Sequence, residues 1–268
     1  MTQLPHPIFE KSMHDRNRIW RPPNVNHGPS IPTPEVHVWR AGLSSSTVDL
    51  SRLGGSISSE ERERADRFRS EHDRARFVLG RIVARSVLGH CLQRPARDIQ
   101  LTLDRSGKPV VASPSEMTLQ FNISHSGDHV LLALARDRRV GVDVEKVREA
   151  KDLNEIAARF FSRTEYLRLQ TIPERMKTVS FYRCWTLKEA YLKARGEGLR
   201  LSPDSFDVAF FPGETPRLLE TRFDPLDAAR WCFCKLDLGS GYLAALATEV
   251  RPELQLKLWN WNAWKAKG

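Results

Sequence analysis

Hydrophobic positions fall into two rhythms along this chain. "EVHVWRAGL" (35–43), "LQFNIS" (119–124), "HVLLALA" (129–135) and "RVGVDVE" (139–145) are short, β-rich and bounded by turn residues, so they predict strands, the last two joined as a hairpin across "RDRR". "DIQLTLD" with the turn "RSGKP" predicts another strand and turn. The helical rhythm appears in "SSEERERADRFR", opened by a serine cap, and again from Asp73 to Gln93, where Phe77, Val78, Ile82, Leu88 and Leu92 recur at helical spacing. Further on, "LNEIAARFFS" is helical, and "SRTEYLRLQ" starts a new helix with Ser162 as cap and Glu165 three residues later. After a proline break comes the long helix "KTVSFYRCWTLKEAYLKARGEG", stopped by its glycines. "SFDVAFF", "RWCFCKLDL", "YLAALATEV" and "LQLKLWNW" predict the closing strands.

The two halves echo each other. Phe121–Ala135 aligns without a gap to Phe233–Ala247, the helix from Phe77 matches the helix from Phe181, and "DIQLTLDRSGKP" loosely matches "SFDVAFFPGETP". Three matches in the same order predict a duplicated unit, hence an α+β fold of two similar halves related by a pseudo-twofold. The predicted division is an extended, seven-proline N-terminal arm at 1–34, a first half at 35–142 and a second half at 143–268. "SHSGD" in one half stands where the other has "LDLGS", so a Ser–His pair belongs to one copy alone.

Within "VGVDVE" the valines point one way, and Gly141, Asp143 and Glu145 the other. Two carboxylates separated by one residue can converge on a hard cation such as Mg²⁺, and Gly141 would let a ligand approach the backbone. An acidic, solvated strand edge has the same pattern. In "WTLKEAYLKA", Trp185, Glu189 and Lys193 form one helical stripe. Glu189 can add a third carboxylate and Lys193 a cation for an anion, although an exposed Glu–Lys pair is the plain alternative. "FNISHSGD" puts Asn122 and Ser124 on one strand face, with His125 following where the strand ends. Adjacent Ser and His rarely reach nucleophile–base geometry, so anion contact suits them better than hydrolysis. Arg74, Arg76 and Arg81 on the first long helix, and Lys108 in the "GKP" turn, could hold a phosphate or simply be solvated.

Charge adds one point. The chain carries a net +9, which favours an anionic partner, yet its basic residues are interleaved with acids and form no polybasic tail. The four cysteines lack metal-ligand spacing and read as free thiols. No run reaches membrane-spanning length and no signal-peptide pattern is present, so a cytoplasmic protein is expected.

Taken in order, "SGKP", "FNISHS", "VGVDVE", "RFFSRTEY" and "FYRCWTLKEAYLKARGEGL" resemble the 4′-phosphopantetheinyl transferases of the long, monomeric Sfp-type class, with a likeness to cyanobacterial members. The resemblance implies transfer of the phosphopantetheine arm of coenzyme A to a serine of an apo acyl or peptidyl carrier protein, releasing 3′,5′-ADP. It also implies an active site in the cleft between the two halves. By position, Asp143, Glu145 and Glu189 would bind Mg²⁺, Ser124 and His125 would contact the phosphates of coenzyme A, and Lys193 its pyrophosphate. Lys108 and Arg76 would face the 3′-phosphate. Glu189 would take the serine proton, directly or through water, although coordinating Mg²⁺ makes a carboxylate a poorer base. A monomer acting without nucleic acid or membrane follows from the same likeness. The competing readings are a metal-dependent phosphodiesterase or nuclease and a basic nucleic-acid-binding protein, the latter lacking any recognition motif.

Overall fold

The computed structural model describes residues 19–22, 31–43, 54–112 and 118–264. Within them one structural unit is used twice. The first copy runs β1 (Glu35–Gly42), α1 (Ser59–Asp66), α2 (Glu71–Leu92), a small hairpin of β2 (Leu101–Leu103) and β3 (Pro109–Val111), then β4 (Leu119–Ser126) and β5 (His129–Arg136). The second runs β6 (Val140–Lys146), α3 (Leu153–Phe160), α4 (Arg163–Gln170), α5 (Glu174–Arg195), a small hairpin of β7 (Phe206–Val208) and β8 (Leu218–Thr221), then β9 (Trp231–Leu236) and β10 (Tyr242–Glu249). Strand orders correspond, β1-β5-β4 in one sheet and β6-β10-β9 in the other.

Local chemistry sets the helix ends. Ser58 and Ser162 each form a capping box, with Glu61 and Glu165 answering from the third helical position. The two long helices, α2 and α5, are both 22 residues. Gly196 ends α5 in the left-handed region, at φ 66°, where glycine carries no steric cost.

Each long helix covers one face of its own sheet. Leu79, Ile82 and Val83 of α2 pack with Phe121, Leu132 and Leu134, while Phe181, Cys184, Leu187 and Tyr191 of α5 pack with Phe233, Ala245 and Ala247. The opposite faces share a third core, in which Val36, Val38, Leu131 and Ala133 meet Val142, Val144, Ala244 and Leu246. The valines of "VGVDVE" therefore lie between the two sheets, as their alternation predicts.

The hairpin expected across "RDRR" does not form, since β5 pairs with β1 and β4 while β6 crosses to the other sheet and pairs with β10; three further details differ from the sequence expectation. Phe121 pairs with Leu134 but Phe233 with Ala247, so the gap-free echo is one residue out in the return strand. The first hairpin turns tightly from Ser126 to His129, whereas Leu236 and Ala244 enclose a longer connection. Second, all of β6 pairs with β10, so the 142/143 division cuts a strand and the second copy begins at Val140. Third, β11 (Gln255–Asn260) returns to the first sheet and pairs in parallel with β1. That pairing satisfies the outer edge of β1, whose backbone groups would otherwise lack partners. Arg21 continues the sheet beyond β11, its N–H donating to the Leu258 carbonyl at 3.0 Å and its carbonyl accepting from Asn260 N–H at 2.8 Å. Apart from residues 19–22 and 31–34, the predicted arm lies outside the described residues. None of the four cysteines forms a disulfide, and no helix among the described residues is long and apolar enough to cross a membrane.

Candidate active site

Where the two copies meet, side chains do the work of a backbone ladder. Alternate residues of β4 face the edge of β6: the Asn122 Oδ1 accepts from Val142 N–H at 2.9 Å, Ser124 Oγ from Val144 N–H at 3.3 Å and Ser126 Oγ from Lys146 N–H at 3.0 Å. Period two on both strands makes this possible, since residues 122, 124 and 126 share a face and so do the N–H groups of 142, 144 and 146. The strand thus continues past His125 to Ser126, further than the sequence suggested.

Each serine also holds the acid one residue before the N–H group it accepts from. Ser124 Oγ donates to Asp143 Oδ1 at 2.9 Å, and Ser126 Oγ donates to Glu145 Oε2 at 2.9 Å. From α5, the Lys193 ammonium donates to Asp143 Oδ1 at 2.5 Å and to Ser124 Oγ at 3.1 Å. Glu189 stands one turn before Lys193 on the same flank. The predicted Asp143, Glu145, Glu189 and Lys193 therefore come together, and Ser126 joins them unpredicted.

The group is electrostatically strained in a consistent sense. Asp143 is 2% exposed, and burial raises its carboxyl pKa against the pull of Lys193 and Ser124. Burial and then the neighbouring Asp143 raise both Glu145 and Glu189, and Glu189 adds to the effect on Glu145. Burial alone would depress Lys193, but Asp143, then Glu189 and Glu145, hold it above its ordinary value and so cationic. Three carboxylates thus face one ammonium, and Asp143 Oδ2 is buried with no hydrogen-bond partner. Among the described residues, no group of three or more His, Cys, Asp or Glu is arranged ready to hold a metal ion. What faces Asp143 Oδ1 is Lys193.

Gly141 does not open this face to a ligand, contrary to the sequence reading. A Cβ there would lie 2.2 Å from the Ala190 carbonyl oxygen and 2.3 Å from Ala194 N, so the glycine lets α5 lie directly on β6. That close approach is what brings Glu189 and Lys193 over the acids. Trp185, earlier on the stripe, is covered as expected, its ring 6.0 Å from Phe181 and 5.9 Å from Phe160.

The basic residues reach the site by separate routes. His125 is exposed at the end of β4; loss of hydration, then Arg76, Lys193 and Arg81, lower its pKa and favour the neutral ring. Arg76 donates to Asp73 at 2.7 Å and to the Gly127 carbonyl at 3.4 Å, beside the β4–β5 turn. Lys108 donates to the Lys193 carbonyl at 3.1 Å and the Val140 carbonyl at 3.4 Å, at the C-terminal end of α5, and burial brings its pKa down to about 8.

The other copy has no such site. Following the pairings from Phe121 and Phe233, Trp39 and Ala41 occupy the places of Asp143 and Glu145, and Cys234 and Leu236 those of Asn122 and Ser124. Strand β11 lies beside β1 where β4 lies beside β6, and Trp259 and Trp264 pack 5.8 and 5.3 Å from the Trp39 ring. The tryptophan-rich C-terminal segment thus fills the second cleft with indole.

A buried acid cluster answered by one lysine, at the junction of two copies of an α+β unit, suits the handling of a phosphorylated substrate. Comparison with known proteins gives the class. The family model of the 4′-phosphopantetheinyl transferase superfamily matches residues 139–247, and that of the 4′-phosphopantetheinyl transferase N-terminal region matches residues 43–137. The chain belongs to the 4′-phosphopantetheinyl transferases. It is 36% identical over 228 residues to the 4′-phosphopantetheinyl transferase HetI of Nostoc sp., covering 85% of this chain and 91% of HetI. With the 4′-phosphopantetheinyl transferase Sfp of Bacillus subtilis it shares 40% identity over 163 residues, 61% of this chain and 70% of Sfp. Membership decides among the three readings of the sequence in favour of the transferase.

Proposed function

We propose that the enzyme transfers the 4′-phosphopantetheine arm of coenzyme A to a serine of an apo carrier protein, acyl or peptidyl, with Mg²⁺ bound by Asp143, Glu145 and Glu189 and 3′,5′-ADP released. The observation that carries this reading is the cluster itself, three carboxylates against one ammonium, with Asp143 Oδ2 buried and unpartnered. An unpaired buried carboxylate oxygen is costly, and a hard dication bound by oxygen would relieve it. Bound there, Mg²⁺ would neutralise pyrophosphate oxygens and polarise the phosphorus under attack.

The chain's own groups supply the rest. Lys193, held cationic, meets the charge that grows on the departing 3′,5′-ADP, and in doing so exchanges part of its contact with Asp143 for phosphate. Neutral His125 and the ring of Arg76 and Arg81 around it offer hydrogen bonds and charge to the anionic end of coenzyme A. Ser124 is already bonded to Asp143, Val144 and Lys193, so it serves by holding these groups as much as by touching phosphate. Glu189 takes the serine proton, directly or through water, as the serine oxygen attacks phosphorus and the bond to ADP breaks. The net charge of +9 draws in an acidic carrier. The two copies contribute unequally: His125 and the serines come from the first, the acids and Lys193 from the second, which begins at Val140.

Incubation with coenzyme A, Mg²⁺ and a panel of apo acyl and peptidyl carriers tests the reading by carrier mass and by 3′,5′-ADP formed in equal amount. A phosphopantetheine adduct on at least one carrier is expected. No adduct on any, with folded enzyme, would contradict it.

A further inference from the structure

The β4–β6 seam has three rungs, and they are chemically unequal. Each β4 side chain accepts one N–H from β6, which fixes where a hydroxyl proton can go. Ser126 Oγ accepts from Lys146 N–H at 3.0 Å, so its single proton points to Glu145 Oε2 at 2.9 Å. Ser124 Oγ accepts from Val144 N–H and from Lys193, so its proton points to Asp143 Oδ1. Asn122 makes the same backbone contact, to Val142 N–H at 2.9 Å, but no carboxylate stands beside it, the neighbouring position being Gly141. The rung spacing that joins the two copies thus also aims both acids of the D-x-E pair.

Glu145 needs such a hold more than Asp143 does. Asp143 is gripped by Ser124 and Lys193 and is 2% exposed, while Glu145 has one more rotatable bond, is half-buried and is held at Oε2 by Ser126. We propose that Ser126 is a positioning residue for divalent-cation binding: it fixes one oxygen of Glu145 and so keeps the carboxylate turned to the side of Asp143 and Glu189. This rests on the proposed Mg²⁺ site. Ser126 touches neither substrate nor the reacting atoms in this role, so its loss weakens metal uptake and leaves chemistry at saturating metal intact.

The test titrates Mn²⁺, as probe cation, into the full ligand-free chain by calorimetry, each variant first being checked by melting. Ser126→Ala should weaken Mn²⁺ about tenfold, Ser126→Thr should restore most of the affinity, and Asn122→Ala should stay within about twofold of wild type. Asn122→Ser replaces Asn122→Ala should the latter melt below the assay temperature. In transfer assays, Ser126→Ala should raise the Mg²⁺ concentration for half-maximal rate about tenfold, with kcat at saturating Mg²⁺ nearly unchanged. Unaltered Mn²⁺ affinity in Ser126→Ala would overturn the proposal, and so would equal weakening by the asparagine variant, which would make the serine a seam contact alone. Asp143→Ala separates the two levels: if wild type takes up no Mn²⁺ and Asp143→Ala transfers normally, the metal reading fails and the positioning role falls with it. If Asp143→Ala loses Mn²⁺ while Ser126→Ala keeps it, the positioning role alone is wrong.

Discussion

Two lysines of "KEAYLKA" sit five residues apart, about 140° around the helix axis, and the structure gives them unrelated tasks. Lys193 faces the acid cluster. Lys188 points away from it into the body of the second copy, 2% exposed, where it donates to Glu165 Oε2 at 2.5 Å and to the Phe206 carbonyl at 2.7 Å. Glu165 is also buried, and its oxygens accept from Ser162 N–H and Val208 N–H as well. This carboxylate ties α4, α5 and β7 together. Lys188→Met keeps the apolar stem but leaves a buried, charged Glu165 without its counter-ion, and breaking such a pair costs about 3–5 kcal/mol. For a domain of this size, with roughly 2–4 °C lost per kcal/mol, the melting temperature should fall by about 10 °C. Differential scanning calorimetry measures this, and transfer assayed well below the transition should stay within about threefold of wild type, because no group of the cluster is moved. A Lys188→Met protein that melts as wild type does, yet transfers poorly, would refute the reasoning and put Lys188 in the chemistry.

Lys108 is protonated below its pKa of about 8 and loses its charge as pH rises through that value. If it meets the anionic end of coenzyme A, the KM for coenzyme A should rise about tenfold from pH about 7 to about 9, and Lys108→Arg should flatten the rise because a guanidinium stays charged; a flat wild-type profile would remove Lys108 from the binding site. The same depressed pKa means that the folded state binds fewer protons than the unfolded one between about 8 and 10.5, so this group's contribution makes stability increase across that window. Gly141→Ala would place a Cβ 2.2 Å from a backbone oxygen of α5 that cannot turn aside, so a melting temperature lower by several degrees and a sharp loss of transfer are expected. Normal melting and turnover of that variant would show that α5 need not touch β6 so closely.

Much of this was legible because it is local. Capping at Ser58 and Ser162, the length of the long helices, the stripe of Glu189 and Lys193 and the valine face of β6 all follow from residues within a few positions of one another. Gly141 was read wrongly, since a missing side chain says only that something comes close, not whether it is ligand or helix. The partner of β11 could not be read at all: alternation predicts a strand but does not say which free edge it will satisfy. Ser126 escaped notice for a related reason. Its spacing from Ser124 marks a shared face, yet its importance comes from Lys146 and Glu145 on another strand. Nothing local marks Lys188 as buried, because its partner Glu165 comes from another helix. The internal echo, in contrast, was strong enough to foresee the duplicated fold and a Ser–His pair in one copy alone, although not the indoles packed around Trp39 in the other.

The central claim is that Asp143 and its neighbours, with a divalent cation, carry the transfer. The direct measurement is the mass of an apo carrier after incubation with coenzyme A and either wild-type enzyme or folded Asp143→Ala, in Mg²⁺ and in a chelator. The account predicts a phosphopantetheine adduct only with wild type and Mg²⁺. An adduct formed at a near-normal rate by Asp143→Ala, or by wild type in the chelator, would contradict it.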